Sequence, residues 1–213
     1  MTVPSNPSAL PVTGLILAGG RATRMQERDK GLQQLLGVSL VERVIARLLP
    51  QVDRLAINAN RNLPDYARFG LPVWPDLNAD FNGPLAGLET GLTHCQTPYL
   101  LCVPCDCPFL PLNLGQGLMT ELKNHNADLA VATCADTSGE KPGATRAQPA
   151  FCLVHRAMLP RLQRYLQQGG RRMDGWYGDA TVARVHFDDP GQFENINTID
   201  ELNIHADRLR DQH

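Results

Sequence analysis

The chain has 213 residues, 43% of them hydrophobic and 20% charged, with a formal net charge of −2. That length suits one large α/β domain, and the balanced charge gives no overall field to recruit nucleic acid, so an anionic substrate must meet a local basic cluster. No apolar run reaches the roughly 18–20 residues that cross a bilayer, and the first residues lack the basic start and apolar stretch of a secretory signal. The reading is a cytoplasmic protein with residues 1–12 as a disordered lead-in and 13–213 as the folded domain.

Residues 13–18 form a short apolar run ending in Gly19-Gly20, the pattern of a buried parallel strand entering a glycine turn. A polar loop follows over 21–31. Ser39 and Glu42 make a capping-box pattern, with Leu40, Val41, Val44, Ile45, Leu48 and Leu49 at helical spacing and Pro50 as the stop. Strands are expected at 54–58 and 71–74, and a helix from Gly83-Pro84-Leu85 to about residue 94. A strongly apolar strand spans 99–103, a helix 112–124 and a strand 129–133. Residues 136–147 read as a loop, 150–154 as a strand, 158–168 as a helix and 181–187 as a weakly alternating strand. A closing helix over 198–209 opens on a second capping box, Thr198 with Glu201. This alternation predicts a mainly parallel sheet covered on both faces. Ligands bind such sheets beyond the carboxyl ends of the strands, which singles out Gly19, Asn58, Asp76 and Asp106.

The segment after the first strand combines paired glycines with Arg21, Arg24, Arg28 and Lys30. It has neither the dinucleotide nor the Walker spacing. It is either a phosphate-binding turn, with backbone amides facing anionic oxygens, or a strand-to-helix turn with a solvated charged loop. Asp106, between Pro104 and Pro108, is placed to hold a hard cation or to cap the next helix. Asn195 and Asn197 can point to one side of an extended segment as metal or phosphate contacts, or belong to a turn and cap. Six cysteines stand at 95, 102, 105, 107, 134 and 152. Cys102, Cys105 and Cys107 are close in sequence but lack a second ligand pair at zinc spacing, and small core residues are the alternative.

Leu17-Ala18-Gly19-Gly20, Arg24-Met25 and Asp29-Lys30-Gly31 together resemble the signature loop of nucleotidyltransferases with the nucleotide-diphospho-sugar transferase fold. Further blocks narrow the resemblance to the molybdenum cofactor guanylyltransferases. They are Asn58-Ala59-Asn60-Arg61, Asp76, Gly83-Pro84-Leu85-Ala86-Gly87, Pro104-Cys105-Asp106-Cys107-Pro108-Phe109, Gln148-Pro149, Gly169-Gly170-Arg171-Arg172-Met173 and Asn195-Ile196-Asn197-Thr198. The resemblance spans residues 15–202. It implies a single-domain three-layer α/β/α sandwich with a mainly parallel, Rossmann-like sheet. It implies transfer of GMP from GTP to molybdenum-molybdopterin, with Mg2+ as cofactor. Leu17, Ala18 and Gly19 would hold the guanine nucleotide through their backbone, with Asn58 and Asp76 lining its site. Lys30 would contact the phosphates, with Arg24 as a further catalytic cation, and Asp106 would bind the magnesium that accompanies GTP. Asn195 and Asn197 would flank the reacting phosphates, and Arg171 and Arg172 would serve the pterin side. Implied partners are GTP, molybdenum-molybdopterin and a molybdopterin-carrying or molybdoenzyme-maturation protein, with no nucleic acid and no membrane. Two departures stand out: Gln26 and Glu27 follow Met25 where the family often has Gly, and the 136–147 segment is longer than is typical. Cytidylyl relatives more usually carry Leu-Ala-Ala-Gly, so Gly19 favours guanine over a pterin cytidylyltransferase. A sugar-phosphate nucleotidyltransferase and a Cys-based metal-binding module are the remaining alternatives.

Overall fold

Apolar side chains alternate between the two faces of the central strands, and each face receives its own helical layer. The computed structural model describes residues 11–19, 29–78, 83–137 and 144–210. Strand β1 (Val12–Leu17) sends Ile16 to one face and Leu15 and Leu17 to the other. Strand β6 (Tyr99–Pro104) does the same with Leu101 and Val103 against Leu100 and Cys102. Helices α1 (Leu40–Leu48) and α4 (Leu114–Asn124) cover the first face through Val41, Val44, Leu48, Leu114, Leu118 and Leu122. Helices α3 (Pro84–His94) and α5 (Leu159–Gln167) cover the second through Leu85, Leu88, Leu92, Leu162 and Leu166. Two separately packed layers on one sheet make the predicted three-layer α/β/α sandwich.

The seven-stranded sheet has the order β5-β4-β1-β6-β8-β7-β9, where β4 is Arg54–Asn58, β5 Val73–Trp74, β7 Leu129–Ala135, β8 Thr145–His155 and β9 Val182–His186. Only β8 runs against the others. It is longer than the sequence predicts and takes in residues 145–147, which were expected as loop; residues 138–143 lie outside the described residues. The β7–β8 register shifts between Val131 and Ala132, whose partners are Cys152 and Gln148. This irregularity falls at Pro149, which has no N–H to give the ladder. The expected lead-in lies outside the described residues up to residue 10, and Val12 already belongs to β1.

Of the two capping boxes, the one at α6 forms in both directions and the one at α1 through its serine alone. Ser39 caps α1 by accepting from Glu42 N at 3.3 Å, and α6 (Ile199–Arg210) opens with Glu201 N to Thr198 Oγ1 at 3.1 Å and Thr198 N to Glu201 Oε2 at 3.2 Å. Helix α1 ends at Leu48, and Pro50 sits in a 3-10 turn after it. Two small elements have no counterpart in the sequence reading: the hairpin of β2 (Gln34–Leu35) with β3 (Val38–Ser39), and helix α2 (Leu63–Ala67).

Helix α3 rides close to the sheet because it has no side chain where it crosses. A Cβ on Gly91 would lie 2.5 Å from Leu15 Cδ2 and 2.8 Å from Leu100 Cδ2. Gly91→Val therefore overpacks this contact and should cost about 1–3 kcal/mol. A lowered midpoint in urea unfolding at constant slope checks it; an unchanged midpoint means that Leu15 and Leu100 yield freely.

Candidate active site

The carboxyl ends of β1, β4 and β6 open onto a cleft of about 340 Å³. Its walls include Leu17, Ala18 and Gly19 after β1, Asn58 at the end of β4, Asp106 after β6, and Lys30 and Asn195 from elsewhere in the chain. Gly83 and Pro84 bring the start of α3 to the same cleft, so the positive end of an 11-residue helix dipole faces it.

Lys30 Nζ donates to Asn197 Oδ1 at 2.7 Å and lies 3.5 Å from Asp106 Oδ2. Asp106 is 8% exposed. Burial pushes its carboxyl above the ordinary range, and the Lys30 ammonium pulls in the opposite direction. Its other oxygen has a long contact, 3.8 Å, with the Cys107 thiol. A buried carboxylate on the cleft wall with lone pairs to spare fits magnesium, which takes one or two protein carboxylates and completes its shell with phosphates and water.

Asn195 and Asn197 are positioned by the chain around them. Cys107 Sγ donates to Asn195 Oδ1 at 3.0 Å, and burial holds that thiol's pKa up, so it stays a donor. Asn197 N donates to Glu201 Oε2 at 2.6 Å, and Ile196 N to the Asp106 carbonyl at 2.9 Å. The helix cap and the cleft contact thus coexist: capping α6 is what aims Asn197 at Lys30. Cys102 faces the α3–α5 layer, while Cys105 and Cys107 face the α1–α4 layer, so the sheet divides the three thiols. Among the described residues no group of three or more His, Cys, Asp or Glu side chains converges as a metal cage.

At the other end of the cleft Asn58, 2% exposed, donates from Nδ2 to Trp74 O at 2.9 Å and to Asp76 Oδ1 at 2.8 Å. Asp76 does not line the cleft itself; it orients Asn58. Asn60 completes the set, with Nδ2 to Asp76 Oδ2 at 2.7 Å and Oδ1 accepting from Asp76 N at 2.8 Å. A Cβ on Gly19 would stand 3.0 Å from Asn60 Nδ2 and 3.2 Å from Asn58 Oδ1. Gly19 therefore makes room for these two amides.

A second hollow of about 470 Å³ shares Asn195 with the cleft, and Asn197, Arg146, Gln148, Glu194 and His205 stand on its walls. Arg171 and Arg172 line neither space. Arg172 is exposed and pairs with Asp174 at 2.8 Å, and Arg171 donates to the Leu166 and Gly170 carbonyls. Arg24 lies outside the described residues, as do Arg21 and Arg28. The sequence reading named Lys30, Asn58, Asp106, Asn195 and Asn197; the structure sets the first four on one cleft and bonds Asn197 to Lys30. That reading gave no role to Asn60 or to the start of α3, although the Asn-Ala-Asn spacing and Gly83-Pro84 carried both signals.

A family model described as the MobA-like NTP transferase domain matches residues 14–181, which sets the class as nucleotidyltransferase. The fold is shared with the molybdopterin-guanine dinucleotide biosynthesis protein A of Archaeoglobus fulgidus (TM-score 0.73, 20% identity, 94% of this chain and 100% of that one). It is shared also with a CMP:2-keto-3-deoxy-manno-octonic acid synthetase (TM-score 0.76, 10% identity, 95% and 100%). The molybdenum cofactor guanylyltransferase of Bordetella petrii is 48% identical over 191 residues, covering 90% of this chain and 95% of its own. That of Cupriavidus necator is 47% identical over 197 residues, covering 92% and 97%. The chain belongs to the molybdenum cofactor guanylyltransferase family.

Proposed function

We propose that the chain transfers GMP from GTP to the terminal phosphate of molybdenum-molybdopterin, releasing pyrophosphate and forming the guanine dinucleotide cofactor in the cytoplasm. The observation that carries this is the Lys30, Asp106 and Asn197 cluster at the strand ends of a chain with guanylyltransferase relatives. The base and ribose lie along the backbone of Leu17, Ala18 and Gly19, against Asn58 held by Asp76. Lys30 and the start of α3 take the triphosphate. When bound at Asp106, magnesium supplies charge neutralisation on the reacting phosphates. Asn195 lines both the cleft and the adjoining hollow, and Asn197 joins the hollow to Lys30; we assign the acceptor to that hollow, with Arg146 and Gln148 on its wall in place of Arg171 and Arg172. Delivery by a molybdopterin-carrying or maturation protein fits an acceptor that enters from this open side.

A phosphate monoester has its second pKa near ~6, so the acceptor is already anionic at pH 7 and no general base is required. The protein's task is to bring two polyanions together and to stabilise the charge that builds in the transition state, which Lys30 does by a fixed ammonium.

Incubating the protein with magnesium, the pterin and each nucleoside triphosphate in turn, and reading pyrophosphate, tests the assignment. GTP alone should give rapid release; preference for CTP overturns the guanylyl reading in favour of the cytidylyl one. Gly19→Ala pushes on Asn58 and Asn60 beside the base, so it should lower kcat/KM for GTP about 10–200-fold and for any weak CTP use by less. Lys30→Ala should lower all triphosphates alike. An equal loss for GTP and CTP in Gly19→Ala makes Gly19 a turn residue only.

A further inference from the structure

Lys30 sits on a stretch of backbone that is fastened from below. Asp29 Oδ1 accepts from Tyr66 Oη at 2.5 Å and from Gly31 N at 3.2 Å, and Oδ2 accepts from Asn62 Nδ2 at 3.1 Å. The Asp29 carbonyl accepts from Gln33 Nε2 at 3.1 Å. Tyr66 comes from α2, is 0% exposed and packs in the core on the α1–α4 side. Burial raises its phenol well above the ordinary range, so the hydroxyl is a neutral donor at any working pH. A Cβ on Gly31 would lie 2.6 Å from Tyr66 Oη and 3.3 Å from Cys105 Sγ, so the chain passes between the phenol and the thiol with no room to spare. Both residues flanking Lys30 are thereby tied to the core, and its Nζ reaches Asn197 and Asp106.

We propose that the Tyr66–Asp29 pair is a positioning latch for Lys30. It touches no substrate; it fixes the Cα from which a long, flexible side chain must reach the phosphates. A lysine carries much rotamer freedom, and a root that drifts by about 1 Å loses the geometry on which charge stabilisation depends. Asn62, left-handed at φ 51°, closes the same carboxylate from the exposed side. The inference rests on the reading of Lys30 as a phosphate contact, and the test separates the two.

The test is a double-mutant cycle on the full chain, reading kcat and both KM values by pyrophosphate release, with melting followed in parallel. Tyr66→Phe should raise KM for GTP and lower kcat/KM by about 10–100-fold, leaving KM for the pterin unchanged. In a Lys30→Met background the same change should cost less than about threefold more, because the group it positions is gone. Equal factors in both backgrounds, or a Tyr66→Phe chain within threefold of wild type while Lys30→Met is crippled, overturn the latch and leave the Lys30 reading standing. A Lys30→Met chain as active as wild type overturns both. If Tyr66→Phe does not fold, Asn62→Gly, which keeps the left-handed backbone, goes through the same cycle. A smaller loss that vanishes in Lys30→Met supports the latch, and its persistence there overturns it.

Discussion

Asp106→Asn should cost at least about 10²–10³ in turnover and leave the melting temperature no lower than that of wild type. Asn preserves the shape of the side chain but removes the charge that a hard cation requires. The stability half follows from the direction of the shift. Burial raises the Asp106 carboxyl above its ordinary pKa, against the smaller opposing pull of Lys30, so the folded chain holds that proton more tightly than the unfolded chain does. Stability from this group is therefore full below the unfolded pKa and is lost as pH rises through the folded one. Asn has no such loss, so the variant should gain on wild type as pH rises from acid to neutral. Pyrophosphate release at saturating magnesium and melting curves at several pH values check the two halves. Turnover within tenfold of wild type removes Asp106 from the metal role.

Asn58→Asp is expected to be the most destabilising single-atom exchange in the cleft. The amide nitrogen now donates to Trp74 O and Asp76 Oδ1 at 2.9 and 2.8 Å, from a residue 2% exposed. Replacing it with oxygen sets acceptor against acceptor at both contacts and puts a buried carboxylate against the half-buried one of Asp76. Leaving a buried charge uncompensated costs about 3–5 kcal/mol. Repulsion and burial both raise the pKa of the introduced carboxyl above its unfolded value. Its stability contribution is thus present at low pH and lost on going to neutral, so the deficit should shrink as pH falls. Asn58→Ala, which loses the same bonds without adding charge, should lack that pH dependence. A variant as stable as wild type at pH 7 would mean that the Asn58–Asp76 contact opens freely.

The main strands and helices were legible because their apolar runs are bounded by Gly, Pro and capping residues, and because charged or amide side chains stand at the strand ends where a parallel sheet leaves space. The β2–β3 hairpin was not. Its two-residue turn is Leu36-Gly37, with φ of 52° and 79°, and leucine is a rare occupant of the left-handed region that such a turn demands. Helix α2 has five residues with a proline among them, too short for a 3.6-residue pattern to register. The strand at 145–147 reads as loop because Thr145 and Arg146 lie exposed on β8, where nothing selects apolar residues. Arg171 and Arg172 show the limit of charge as a signal. A basic pair marks a surface, and only the fold says which; here it lines neither the cleft nor the hollow beside it.

The contact between Lys30 and Asn197 joins positions 167 residues apart. All seven strands of the sheet end by His186, so the amide that accepts from Lys30 lies outside the segment that forms the sheet. The stretch from Asn195 through the α6 cap is held by its own bonds and by the Asp106 carbonyl rather than by a sheet ladder. Contacts of such long sequence separation form slowly and add late. The cleft is thus completed by two parts of the chain far apart in sequence, neither of which belongs to the seven-stranded sheet, and the lysine meets its amide only once both have docked on the strand ends.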